Sequence, residues 1–202
     1  MKLFLIRHAE SVWNKEQRIQ GRKDPGLSGN GVRQAKTLAK RLKKERIQII
    51  YASGLKRCVQ TAKIISKRTK APIKFLPQLE EIILGSWQGK TVEQVKRKYP
   101  KVYRNWLETP SKAKVPGWEG IPKFMKRVDR AFKIILNCNS ANSICVVTHW
   151  GVIAVYLSKV LNVNFDWFFK RVRIDNGGVS KISYKDGNAV VQYINDTQHL
   201  LK

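Results

Sequence analysis

The chain has 202 residues, 43% of them apolar, enough to bury a core of its own, which excludes wholesale disorder. No run approaches the roughly 18 consecutive apolar residues that span a bilayer, so a membrane-spanning helix is excluded as well. Forty Lys and Arg against fourteen Asp and Glu give a formal charge of +26, which points to anionic partners without saying which.

The opening Met1 to Ile6 has the look of a clipped signal peptide, but its apolar run stops at Arg7, short of the ~7–15 residues of a secretory core. Leu3-Phe4-Leu5-Ile6 therefore reads as a strand buried on both faces, in a protein expected in the cytoplasm. A Gly/Pro/Asp-rich loop spans 21–31, and Val32, Ala35, Leu38, Ala39 and Leu42 then fall at helical spacing. Ile47 to Tyr51 predicts a second strand, and Leu55 to Lys67 a second amphipathic helix. A short third strand is expected over Ile73 to Leu76, and helices over Thr91 to Tyr99 and Pro122 to Leu136. Ser143 to Thr148 is a strong strand signal that runs into a helix from Gly151 to Leu161. Val179 to Tyr184 and Ala189 to Ile194, joined by Lys185-Asp186-Gly187-Asn188, predict a hairpin.

Strands alternating with helices imply an α/β three-layer sandwich. Its mostly parallel central sheet carries helices on both faces and a C-terminal antiparallel hairpin at one edge. No linker or repeat divides the chain, so 1–202 is expected to form a single domain, with a lid or insertion around 90–140 centred on the Lys/Pro/Gly-rich 101–122. Cys58, Cys138 and Cys145 are neither closely spaced nor near histidines, which argues against a zinc site or a disulfide framework and for small apolar side chains in a reducing compartment.

Ligands of such sheets bind beyond the carboxyl ends of the strands. The residues placed there are Arg7 and His8, Ser53 to Arg57, and His149. That set suits phosphoryl transfer. A neutral imidazole, kept so by nearby guanidinium groups, is the nucleophile, and planar Arg forks hold phosphate oxygens. An acid of raised pKa protonates the leaving alkoxide, and no metal is strictly required. His8 is the candidate nucleophile, with Arg7, Arg57 and His149 as cationic or neutral donors to phosphate and Asn14, Gln20 and Gly21 as neutral donors from the loop after the first strand. Glu80 and Glu81 both follow the third strand and are candidate acids. Arg18 and Arg22 read as a solvated basic loop, His199 as a surface residue, and Trp87, Trp106 and Trp167 as packing anchors.

Four blocks in order carry a resemblance to a known family. The first comprises Arg7-His8-Ala9-Glu10-Ser11, Asn14 with Arg18 to Asp24, and Leu27-Ser28 with Gly31 and Gln34-Ala35; the second is Ser53 with Leu55-Lys56-Arg57-Cys58 and Thr61-Ala62. Leu79-Glu80-Glu81-Ile82 with Gly85-Ser86-Trp87-Gln88-Gly89 forms the third, and Val147-Thr148-His149-Trp150-Gly151 the fourth. Together they resemble the histidine phosphatase superfamily in its phosphoglycerate-mutase-like branch. The resemblance implies phosphorylation on His8, a clamp of Arg7, Arg57 and His149 with Asn14 beside it, and Glu81 as proton donor and later base, with Glu80 at a variable position. Ala9 stands where the family more often has Gly, Gly26 where it usually has Pro, and Trp118 and Trp150 fall outside its pattern.

The mutases of this family carry, by the same resemblance, a longer insertion with an Arg-Arg pair. Here Glu81 and His149 are 68 positions apart with no such pair between them. A shorter insertion admits water, which favours a phosphatase of small phosphomonoesters (phosphoserine, α-ribazole phosphate or sugar-acid phosphates) over a cofactor-dependent phosphoglycerate mutase. The expected partner is a small anionic phosphorylated substrate, with no cofactor, metal or membrane, and Lys112, Lys114 and Lys123 are placed to attract a second anionic group or simply belong to the basic surface. A homodimer is compatible with this reading. The charge keeps a second class in view, a protein that binds nucleic acid non-specifically beside an idle pocket, although the cations are dispersed over several helices rather than gathered in one run.

Overall fold

The computed structural model describes residues 1–137 and 141–201; Cys138 lies outside the described residues. From the N-terminus the elements are β1 (Lys2–Arg7), α1 (Val12–Lys15), α2 (Gly29–Lys43), β2 (Ile49–Ala52), α3 (Lys56–Thr69) and β3 (Ile73–Phe75). There follow α4 (Val92–Lys98), α5 (Pro100–Glu108), α6 (Ile121–Asn137), β4 (Ser143–Thr148), α7 (Trp150–Val160), α8 (Phe165–Arg171), β5 (Val179–Lys185) and β6 (Asn188–Asp196). The six strands form one sheet in the order β3-β2-β4-β1-β5-β6. The first four are mutually parallel, β5 runs antiparallel to β1 and β6 antiparallel to β5, so the fold is the expected α/β sandwich with its hairpin at one edge.

Alternation along β1 builds the two cores. Leu3 and Leu5 face one side, against α6 and α7 through Phe124, Val128, Phe132 and Leu157. Phe4 and Ile6 face the other, against Leu38, Leu42, Ala62 and Ile65 of α2 and α3. A side chain caps the start of α2, where Ser28 Oγ accepts from Gly31 N at 2.9 Å. Lys70, at φ +67°, ends α3 in the left-handed conformation. Among the described residues no single helix is long and apolar enough to cross a membrane.

Three helices were not legible: the single turn of α1, which lies in the stretch expected as loop, and α5 and α8. The stretch expected as a lid or insertion holds α5, because Pro100 occupies the first turn, where a missing N–H costs nothing. Tyr103 and Trp106 of α5 pack on Trp87 at ring separations of 6.0 and 5.8 Å, and Trp106 continues to Trp118 and to Phe169. Phe169 meets Trp150 at 4.9 Å. Trp118 and Trp150 thus belong to one aromatic chain that ties α5 to α8 and to the start of α7. The seven-residue α8, capped by Asn164 Oδ1 on Asp166 N and Trp167 N, is too short to show a period. Trp87 and Trp106 are packing anchors as expected, whereas Trp167 is 45% exposed and carries Arg171 across its ring at 5.1 Å.

Candidate active site

The register of the sheet brings the two histidines together. In the parallel pair of β1 and β4, Arg7 lies opposite Thr148, and His8 N donates to Thr148 O at 2.9 Å. His8 and His149 therefore leave adjacent strands at the same level, and their rings meet edge to face with centroids 5.2 Å apart. Both are buried.

His8 is held in one tautomer. Its Nδ1 lies 2.8 Å from the Ala9 carbonyl, which can only accept, so Nδ1 carries the proton and Nε2 of the neutral ring keeps its lone pair. Burial first, then the charges of Arg57 and Arg7, hold the His8 pKa well below the usual histidine value. The ring is thus neutral at physiological pH.

Both guanidinium groups are anchored by backbone carbonyls. Arg7 Nη1 donates to Ile174 O at 2.6 Å; Arg57 Nη1 and Nη2 donate to Lys23 O and Gly21 O at 2.9 and 2.8 Å. Each leaves its Nε buried without a partner. Unmet buried donors cost about 1–3 kcal/mol each, more when charged, and an anion between them relieves that cost. Burial lowers the Arg7 pKa to about 10 and lowers that of Arg57 too, so both stay charged near neutrality.

His149, the N-cap residue of α7, sits with Nε2 2.8 Å from Ser53 Oγ and 3.4 Å from Cys58 Sγ. Burial, then Arg57 and His8, depress its pKa far below the usual value. The Cys58 thiol is pushed up to about 12 by burial and remains protonated.

The two candidate acids occupy different environments. Glu81 Oε2 accepts from Gly151 N at 3.2 Å at the N-terminus of α7, and its Oε1 accepts from Ile82 N at 3.0 Å. Glu80 instead lies 3.3 Å from Arg22 Nε. Arg22 also donates from Nε to Glu81 O at 3.3 Å and from its backbone N to Gln88 Oε1 at 2.9 Å. It is not the solvated loop cation expected from sequence, because the loop after β1 folds back onto the third block. Behind both acids stands Arg127 of α6, which donates to Gln78 O, Glu80 O and Glu81 O and to both oxygens of Glu119.

The loop after β1 is braced internally. Asn14 Oδ1 accepts from Ser11 N at 3.1 Å and from Asn176 Nδ2 at 3.2 Å, which leaves the Asn14 amide N–H groups as donors. Gln20 Oε1 is 2.9 Å from Ser11 Oγ. Gly21 lends its carbonyl to Arg57 as an acceptor, and its φ of +51° with Gln88 packed over its Cα admits no side chain. Arg18 is tied to Glu16 at 2.6 Å and to Gly89 O at 3.0 Å.

Besides Arg127 and Glu119, a contributor at the start of β5 escaped the sequence. Asn176 Nδ2 donates to His8 O at 3.0 Å as well as to Asn14, and Gly177 N donates to Arg7 O at 3.0 Å. The segment precedes β5, and because β5 is antiparallel to β1 its start lies at the carboxyl end of β1. The turn Asp175-Asn176-Gly177-Gly178 was the signal that could have found it. His199, expected at the surface, is half-buried, with Nδ1 3.0 Å from Arg41 Nη1. Among the described residues, no three His, Cys, Asp or Glu side chains converge to hold a metal ion.

The carboxyl end of an α/β sheet thus gathers two histidines held neutral and two buried guanidinium groups, an arrangement whose charge suits an anion. The chain belongs to the histidine phosphatase superfamily (branch 1), whose family model matches residues 3–197. It is 34% identical over 200 residues to phosphoserine phosphatase 1 of Hydrogenobacter thermophilus, covering 99% of this chain and 94% of that protein. It is 27% identical over 205 residues to a probable phosphoglycerate mutase, GpmB, of Salmonella choleraesuis, with 99% and 95% covered. The fold matches the solved structure of YhfR from Bacillus stearothermophilus with a TM-score of 0.93 at 27% identity, over 98% of each chain.

Proposed function

We propose that the protein hydrolyses small phosphomonoesters through a phosphohistidine formed on Nε2 of His8. The observation that carries this reading is the tie of His8 Nδ1 to the Ala9 carbonyl, which reserves the Nε2 lone pair beside two guanidinium groups with partnerless buried Nε atoms. Arg7, Arg57 and His149 hold the phosphoryl oxygens, with Asn14 beside them; Gln20 braces the loop and Gly21 aims Arg57. Nε2 attacks phosphorus as the ester P–O bond breaks, and Glu81 delivers a proton to the departing alkoxide. Water then attacks the phosphohistidine, giving its proton to Glu81, and phosphate leaves with His8 neutral again. No step calls for a metal.

Water is favoured as the final acceptor because only 68 positions separate Glu81 from His149 and no Arg-Arg pair lies between them. The similarity to a phosphoserine phosphatase supports hydrolysis of a small phosphorylated metabolite, and the weaker similarity to a probable mutase keeps phosphoglycerate chemistry as the alternative. The same reading treats 1–202 as one domain, with residues around 90–140 covering the pocket through the aromatic chain from Trp87 to Trp150. It also places the protein in the cytoplasm, in keeping with the buried free thiols of Cys58 and Cys145.

The test is steady-state hydrolysis of p-nitrophenyl phosphate and phosphoserine in EDTA, with 2,3-bisphosphoglycerate-primed mutase activity measured alongside. Turnover in EDTA that is abolished by His8→Ala, with a base-stable and acid-labile phosphoenzyme in the parent protein, is the expected result. Mutase turnover exceeding hydrolysis would replace the phosphatase reading.

A further inference from the structure

The charge that looks dispersed along the sequence is concentrated in space. Residues 25–79 hold fourteen Lys and Arg but a single acid, Glu45, a net +13 that is half of the chain's excess in about a quarter of its length. These residues include α2 and α3, which cover the same side of the sheet and contain no acidic and no aromatic side chain between them. Their outward positions are mostly cationic. Arg33, Lys36, Lys40 and Lys43 follow one stripe of α2, and Lys56, Lys63 and Lys67 one stripe of α3, all exposed. At 1.5 Å per residue, a cation recurs about every 5–10 Å along each helix.

Between the helices runs a groove of about 510 Å³, with Lys36 and Lys40 on one wall, Lys67 and Arg68 on the other, and Ala39 and Ile64 as its floor. The acids at its margin are already engaged: Asp196 lies 2.6 Å from Arg41, and Glu45 lies 3.9 Å from Lys181. Nothing within α2 or α3 offsets the field of the groove.

We infer that this α2–α3 face binds the phosphodiester backbone of double-stranded nucleic acid without reading its sequence. Two cationic stripes beside a groove complement a regular row of phosphates, and binding there is driven by counterion release. The absence of aromatic side chains removes the stacking platform that single strands use. No large apolar side chain protrudes from either helix to enter a bilayer, which disfavours a membrane surface. The groove lies in the opposite layer from α6 and α7 and contains none of the proposed phosphatase residues, Arg57 of α3 being buried on the inner side of its helix, so neither proposal depends on the other.

The experiment measures binding of the full-length protein to a 20-base-pair DNA duplex, the matching RNA duplex, a single strand and vesicles containing phosphatidylserine. The parent is compared with a variant carrying Lys36→Gln, Lys40→Gln, Lys67→Gln and Arg68→Gln, and with a control carrying Lys96→Gln, Arg97→Gln, Lys98→Gln and Lys101→Gln. With about four to five phosphates neutralised, duplex affinity should fall roughly 10²–10³-fold between 50 and 200 mM salt. The groove variant should lose at least tenfold in affinity and flatten that salt slope, while keeping parental melting temperature and p-nitrophenyl phosphate hydrolysis. Equal losses in the control variant, no salt-dependent duplex binding, or tighter binding to single strands or vesicles would each overturn the inference.

Discussion

Gly151 donates its backbone N–H to Glu81 Oε2 at 3.2 Å, and a Cβ on Gly151 would stand 2.5 Å from Oε1 of the same carboxylate. The glycine thus lets the first turn of α7 approach the proposed acid closely enough to hold it. Gly151→Ala should displace that carboxylate while leaving His8 untouched. The expected result is a fall in kcat on alkyl phosphates of roughly 10²-fold, in the range that general acids contribute, with a smaller fall on p-nitrophenyl phosphate, whose leaving group hardly needs a proton. Glu81→Gln should show the same split. Equal losses on both substrates would remove Glu81 from the acid role, and a split seen in Glu80→Gln instead would transfer it.

The parts of the site that were legible in the sequence sit at strand ends. Arg7, His8, Arg57 and His149 follow runs whose hydropathy marks them as strands or helix starts, and the rule that ligands bind at carboxyl ends then gathers them. Asn176 was not legible, because its strand runs the other way and reaches the site from its N-terminal end. Arg127 and Glu119 were hidden for another reason: they act on the third block from α6 and the loop before it, and no local pattern announces a contact across 46 positions. The cationic groove between α2 and α3 was read as dispersed charge, since adjacency of two helices is a property of the sheet they cover.

The depressed pKa values of His8 and His149 make stability depend on pH in a stated direction. In the unfolded chain these rings take up protons near the ordinary value of about 6.5, whereas in the folded protein burial and the two guanidinium groups delay protonation to much lower pH. The unfolded state therefore binds more protons below that value. Stability is fully present above about pH 6.5 and declines as pH falls towards the folded-state values, by up to roughly 1.4 kcal/mol per pH unit for each ring. Thermal melts from pH 7.5 to 5.5 should show a falling Tm in the parent and a shallower fall in His8→Asn. His199, also lowered by burial and then by Arg41, contributes a background slope common to both. The acid limb of kcat/KM should correspondingly lie below pH 6.5. A parent Tm that rises or stays level on acidification would contradict the assignment.

Arg127 and Glu119 form the support beneath the proposed acid. All five guanidinium N–H groups of Arg127 have acceptors, two on Glu119 at 2.7 and 2.8 Å and three on the carbonyls of Gln78, Glu80 and Glu81 at 2.9, 2.7 and 3.3 Å. The Glu119 side chain is only 4% exposed. Burial alone would raise its pKa, but the hydrogen bonds and charge of Arg127 more than offset this and leave it lowered. Arg127→Met would strand that carboxylate and free three carbonyls, at a cost of about 3–5 kcal/mol. Arg127→Lys should recover part of the stability but not the planar fork that fixes the Glu80–Glu81 backbone. The Lys variant should therefore approach the parental Tm yet keep a deficit on alkyl phosphates larger than on p-nitrophenyl phosphate, the signature of a displaced acid rather than of general unfolding. Removing both partners in Arg127→Met with Glu119→Met should cost less stability than Arg127→Met alone, because no unpaired charge is left buried. A double variant as unstable as the sum of its singles would show that the pair is not coupled, and a Lys variant with uniform losses on both substrates would show that Arg127 does not position Glu81.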